Sequence, residues 1–307
     1  MRRIVQLAIA LVLMLAALYV LDRAMWHPPA RPPSHSNVFR VPVGNGNAAE
    51  RPLVEVQAMP LHRLVAPGES TMVAIMFTIP AKWHIYWADA GDAGVPTEVH
   101  FKAPTGVTVG PAVYSRPMLM DDPAGKVFGY ERSALLLAPV TIASDIATRG
   151  WIDIQMEANW LVCKKVCHIG SVAHQLRVEV GQEMGKPTAA AQWARAFSMP
   201  KAITKRPGTN IQVDAKGVTI SGPMGELGLP SFIPQHVPGV ELAQTSMSQD
   251  GGLFTLSATY KLRPGDSFGH KPRIQGLLTF GTRPADPCWS IDAVLPIPSQ
   301  TTEGNPQ

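Results

Sequence analysis

The side chains best suited to chemistry cluster in one stretch, Asn159-Trp160-Leu161-Val162-Cys163-Lys164-Lys165-Val166-Cys167-His168-Ile169-Gly170. Two of the three cysteines in the 307-residue chain stand here, four positions apart, with two lysines between them and a histidine directly after. A thiol reacts as the thiolate, and neighbouring cations lower its pKa. Cys163 and Cys167 are therefore the catalytic candidates, with Lys164, Lys165 and His168 as thiol-tuning neighbours. A purely structural disulfide is the bland alternative. So short a loop constrains the unfolded chain little, which favours an exchange-active pair over a structural bond.

The flanking periodicity says what holds the pair. From residue 152 to 162 the even positions are Ile, Ile, Met, Ala, Trp and Val, whereas 153, 155, 157 and 159 are Asp, Gln, Glu and Asn. A period of two marks a half-buried β-strand, not a helix. After the pair, Val172, Leu176, Val178 and Val180 alternate with Gln175, Arg177 and Glu179, which predicts a second strand. Two strands around a short Cys-x3-Cys turn form a hairpin with a dithiol at its tip.

The rest of the chain supplies a β scaffold. Charged residues make up 16%, and 29 Pro and 26 Gly suit short strands and many turns. A net charge of +4 without a basic stripe argues against nucleic-acid binding. Arg2 and Arg3 precede an uncharged run over residues 4–21, followed by Asp22 and Arg23. That order places the N-terminus in the cytoplasm and the body across the inner membrane, where disulfides persist. Asp22 spoils the small-x-small cleavage pattern, so residues 1–23 read as a retained signal anchor in preference to a removed signal peptide.

Residues 24–50, with Pro28-Pro29, Pro32-Pro33 and Gly44-Asn45-Gly46, read as a semi-stiff linker. Segments at 53–59, 71–79, 97–101 and 134–142, together with the hairpin, predict an immunoglobulin-like antiparallel sandwich over 51–181. The 71–79 run is apolar on both faces, as a central strand would be. A helical connector over 182–208, with Thr188 as an N-cap, leads to a second, smaller β-sandwich over 209–298 and a tail over 299–307. The fold class is all-β with one N-terminal membrane helix.

Four further segments then fall into order: Trp83-His84-Ile85-Tyr86-Trp87, Gly91-Asp92-Ala93-Gly94-Val95-Pro96-Thr97, Phe128-Gly129-Tyr130-Glu131, and Trp160-Leu161-Val162-Cys163…Cys167. Together they resemble the N-terminal periplasmic domain of the DsbD family of thiol:disulfide interchange proteins, closest to its suppressor-of-copper-sensitivity branch. The resemblance covers about residues 53 to 180 well and the second β region weakly. It implies an immunoglobulin-like domain whose cysteines take electrons from a membrane electron-transfer protein. These electrons pass to thioredoxin-like or other periplasmic disulfide proteins, in disulfide correction, cytochrome c maturation or copper tolerance. It further implies that Cys167 exchanges with partner thiols while Cys163 resolves the mixed disulfide. Phe128-Gly129-Tyr130, with Glu131 beside it, would be an exposed aromatic cap loop contacting the partner. The chain departs from the family where Cys167-His168-Ile169-Gly170 replaces the usual Cys-Ile-Pro-Gly. Only one membrane-length run occurs in these 307 residues, so the expected electron donor is a separate membrane reductase.

Other readings compete at particular residues. Cys163, Cys167 and His168, with His84 or His174, would suit a soft metal such as Cu(I), which makes a copper-tolerance accessory protein the second functional reading. A β-sandwich adaptor with a structural disulfide is the third. No metal or cofactor is assigned. Asp89 and Asp92 with Gly91 and Gly94 read as a turn rather than a calcium loop, because the later carboxylate is missing. Met118 and Met120 read as packing or partner contacts, Trp83, Tyr86 and Trp87 as core aromatics, and Cys288 as a buried, inert thiol.

Overall fold

The computed structural model describes residues 38–42, 52–122, 125–147, 150–262 and 272–296. The expected anchor at 4–21, most of the expected 24–50 linker and the expected tail lie outside these residues. Among the described residues no helix is long and apolar enough to cross a membrane.

Thirteen strands build the first part of the fold: β1 (Val38–Pro42), β2 (Leu53–Pro60), β3 (Leu64–Val65), β4 (Ser70–Thr78), β5 (His84–Gly91), β6 (Glu98–Lys102), β7 (Val107–Val109), β8 (Val113–Tyr114), β9 (Met118–Asp122), β10 (Gly125–Glu131), β11 (Ser133–Ile142), β12 (Gly150–Cys163) and β13 (Cys167–Val180). They form two sheets. One runs β1-β2-β4-β11-β7 with β8 beside β11, and the other runs β3-β13-β12-β5-β10-β9 with β6 beside β12. The family expectation of an immunoglobulin-like antiparallel sandwich is met.

Alternation decides what lies between the sheets. Ile152, Ile154, Met156, Ala158, Trp160 and Val162 all point inward from β12. Val54, Val56, Val73, Ile75, Phe77, Leu136 and Val140 face them from the other sheet. At about 25 cal/mol per Å² of buried apolar surface, this shared core holds the hairpin in register, because a one-residue slip would turn the whole row out to water. Gly170 pairs with Trp160, and a Cβ at 170 would come 2.3 Å from the indole. The glycine after the Cys-His-Ile run therefore lets the Trp160 ring lie flat against the β13 backbone.

Strand β4 is buried on both faces, as its unbroken apolar run predicts. One face enters the main core. Ala74 and Met76 on the other face lie beneath Trp193 and Ala190 of α1 (Ala190–Ala196). The helix is thus a cover for the outer face of the first sheet as well as a connector. Its Thr188 hydroxyl donates to the Pro60 carbonyl and accepts from the Ala190 amide, tying the helix start to β2.

Eight more strands make two four-stranded sheets: β14 (Lys201–Ala202), β15 (Asn210–Val213), β16 (Gly217–Pro223), β17 (Ser231–Gln235), β18 (Val240–Asp250), β19 (Leu253–Leu262), β20 (Arg273–Thr279) and β21 (Cys288–Val294). The orders are β14-β21-β20-β17 and β15-β16-β19-β18, enclosing a separate core of Ile220, Phe254, Leu256, Ile274, Leu278 and Ile291. Ile233 and Leu277 join the first core instead. The Arg116 guanidinium donates to the carbonyls of Gly281 (2.6 Å) and Arg283 (3.2 Å). Both sandwiches lie in one compact unit, Asn37–Gln307.

Two local expectations fail here. Val38–Pro42, read as spacer, is a strand paired along its length with β2. Phe128-Gly129-Tyr130, read as an exposed loop, is the middle of β10, and both aromatic side chains are buried in the main core.

Candidate functional site

The β12–β13 hairpin pairs residue for residue from Gly150↔Val180 to Cys163↔Cys167. Its tip is closed by a Cys163–Cys167 disulfide. The two sulfurs are unequal: Cys163 is 2% exposed, whereas Cys167 is open to solvent. The reason is parity. Val162 faces the main core, so Cys163 must face the outer surface of its sheet, and there a satellite cluster of Tyr86, Ala90 and Val127 covers it. Met120, Ala93 and Leu161 pack around that cluster.

The loop after β5 holds the cover down. The Asp92 amide bonds the Lys126 carbonyl, and the Lys126 amide bonds the Asp92 carboxylate. Gly94, at φ +98°, lies directly on Tyr86, where a Cβ would meet the ring at 2.3 Å. The Asp89 carboxylate accepts from the amides of Gly91 and His236. Asp89 and Asp92 thus serve backbone amides in a turn.

Register then brings together residues that are far apart in sequence. Cys163 pairs with His84 of β5, and His84 pairs with Glu131 of β10. A single row, Cys167–Cys163–His84–Glu131, therefore crosses four strands on the outer face. Directly opposed residues in an antiparallel pair hold their Cβ atoms about 4.5–5.5 Å apart. His84 Nε2 lies 3.3 Å from the Tyr86 hydroxyl, with the rings edge to face. Burial lowers the His84 pKa, against the opposing pull of Asp122 and Glu131. The Tyr86 phenol is raised by burial and by Asp122.

The thiol-tuning candidates divide. Lys164 and Lys165 form the exposed turn between the cysteines, and Lys164 Nζ sits 5.9 Å from the Trp83 ring centroid. His168 faces Trp83 at 5.7 Å between centroids, on the side of the sheet away from the thiols. Phe128 packs edge to face on Trp87, and the Tyr130 hydroxyl donates to the Ser115 carbonyl. These two aromatics are core supports for the strand next to the site and not its exposed lid. Glu131 is exposed and stands in the row with Cys163. Tyr86 is buried as expected, but against Cys163 rather than in the main core. Sequence alone offers His84 only as a conceivable ligand; its place beside Cys163 comes from strand register.

A soft-metal set does not assemble from all the histidines considered. His174 pairs with Met156, seven residues along β12 from Cys163, or about 24 Å at 3.4 Å per residue. Its ring packs on Phe39 instead. Among the described residues no group of three or more His, Cys, Asp or Glu is placed to hold a metal ion. Cys288 is buried at the junction of the sandwiches, 3.7 Å from the Ser198 hydroxyl, and burial pushes its thiol pKa up.

The hairpin tip of an immunoglobulin-like sandwich thus carries a disulfide between one sheltered and one exposed cysteine. Residues 49–177 match the family model described as "Thiol:disulfide interchange protein DsbD, N-terminal". Over that span the chain is similar to that family. Among solved structures, the N-terminal periplasmic domain of ScsB from Proteus mirabilis shares the fold, at 12% identity and a TM-score of 0.50. The similarity covers 79% of this chain and 93% of that one, so it takes in both sandwiches. The reduced N-terminal domain of DsbD from Neisseria meningitidis aligns at 16% identity over 43% of this chain and 90% of that one, with a TM-score of 0.27. No curated protein matches the sequence.

Proposed function

We propose that this protein is a periplasmic thiol–disulfide exchange module, relaying reducing equivalents through Cys163 and Cys167. The observation that carries the reading is the asymmetry of the pair. Cys167 is open at the hairpin tip, whereas Cys163 is 2% exposed beneath Tyr86 and Val127. In exchange, a thiolate attacks the accessible sulfur in line with the S–S bond, and the other sulfur leaves. An incoming partner thiolate attacks Cys167, a mixed disulfide forms there, and the bond's electron pair departs on Cys163. The partner's second thiolate then releases Cys167, so that two electrons have entered the module. The same steps in reverse reduce a client disulfide.

The expected donor is a membrane electron-transfer protein and the expected acceptors are thioredoxin-like periplasmic proteins. Residues 4–21 would tether the module to the inner membrane. Cytochrome c maturation, disulfide correction and copper tolerance are processes such a relay would serve. Support comes from the family match over residues 49–177 and from the geometry of the pair.

Trapping tests the reading. With Cys163→Ser, Cys167 should accumulate a stable mixed disulfide with a thioredoxin-like partner, whereas Cys167→Ser should trap little because the remaining thiol is sheltered. Equal trapping by both variants, or by neither, would refute it.

A further inference from the structure

Breaking the bond at Cys167 leaves negative charge on the sheltered sulfur of Cys163. A buried thiolate is costly without a positive or donating group beside it. Neither lysine of the turn serves, since both are exposed and Lys164 is directed over Trp83. On the outer face of the neighbouring strand, the residue opposed to Cys163 is His84.

We propose that His84 is the group that stabilises the leaving thiolate of Cys163, taking up a proton as the disulfide opens. This deepens the exchange reading above and rests on it. A thiolate of the reducing partner donates its electron pair to Cys167 Sγ, the Cys163–Cys167 bond breaks, and its pair settles on Cys163 Sγ. A proton from water then goes to the imidazole, giving a thiolate–imidazolium pair. Reoxidation returns the proton to water.

The surroundings suit this use. With the disulfide closed, burial favours the neutral ring. A new negative charge within about 4–6 Å favours the charged form of a histidine, typically by 1–3 pKa units. Tyr86, two residues along β5, lies 3.3 Å from Nε2 and fixes the ring edge. The charged groups facing the imidazole are Glu131 of β10 and Asp122 of β9, both of which favour the imidazolium. From β12 the titratable neighbour is Cys163 itself, and Lys164 of the turn is directed over Trp83.

The test is a titration of thiolate absorbance near 240 nm in the full chain carrying Cys167→Ser and Cys288→Ala, with Cys163 as its single thiol. The Cys163 pKa should fall below the ordinary value of about 8.5. His84→Gln should raise it by about one unit, a tenfold loss of thiolate at pH 7. His84→Lys, which keeps a cation, should restore the low value and so exclude a folding defect as the cause. In the otherwise wild-type protein, His84→Gln should slow reduction by thioredoxin about tenfold at pH 7 and leave it unchanged at pH 9. An unmoved Cys163 pKa in His84→Gln, with wild-type exchange intact, would overturn the role of His84 and leave the proposed function standing. No exchange by the wild-type protein at any pH would overturn both.

Discussion

Reducing the Cys163–Cys167 bond should cost the fold little, and the amount can be worked out. In the chain-entropy account a cross-link stabilises by restricting the unfolded chain, as about 2.1 + 1.5R ln n cal/mol/K for a loop of n residues. The sequence separation is 4, closing a loop of about five residues. The sum is then about 7 cal/mol/K, or about 2 kcal/mol at 25 °C, against about 4.7 kcal/mol for a loop of 100 residues. What holds the hairpin otherwise survives reduction. The strands are 14 residues each, and Ile152 to Val162 stay buried against the opposite sheet. The freed Cys163 thiol remains among Tyr86, Ala90 and Val127, where it behaves as a small apolar side chain. Urea unfolding of the oxidised protein, the dithiothreitol-reduced protein and the Cys163→Ala/Cys167→Ala variant is the assay. The two pair-free forms should lose at most about 2 kcal/mol with unchanged m-values. A loss above about 4 kcal/mol, or an unfolded reduced form, would show a structural bond and refute the reasoning.

Two other outcomes follow from the junction between the sandwiches. Arg116→Ala removes the donor to the Gly281 and Arg283 carbonyls and should cost about 2–4 kcal/mol, splitting a single calorimetric transition into two. One unchanged transition would contradict that bridging role. Cys288, 1% exposed and with its thiol pKa raised by burial, should resist iodoacetamide in native protein at pH 8. Cys288→Ser should leave exchange through Cys163 and Cys167 unchanged; fast labelling, or loss of exchange, would count against an inert thiol.

The hairpin was legible because each of its strands has one wet and one dry face, and that asymmetry is written in the sequence with period two. Strand β4 was legible for the opposite reason: core on one side and Trp193 on the other leave no polar position between Met72 and Phe77. Gly129 misled. A glycine between aromatics reads as a loop, but here a Cβ would lie 2.1 Å from the Ile85 carbonyl, so it marks a close approach inside a sheet. Phe128 and Tyr130 consequently sit in the core and not over the thiols. Strand β18 escaped notice because most of Val240–Asp250 is exposed at a sheet edge and has no alternation to read. His84 escaped because no spacing rule connects residue 84 to residue 163. Only the register of β5 between β10 and β12 does so.

The central claim, that the pair exchanges, is tested most directly by its reduction potential. Glutathione-buffered equilibration followed by alkylation of the thiols gives the ratio of reduced to oxidised Cys163/Cys167. A labile pair is expected, with a potential above about −300 mV and equilibration with thioredoxin. A potential well below that, with no reaction with thioredoxin-like proteins, would mean that the hairpin tip carries a structural bond.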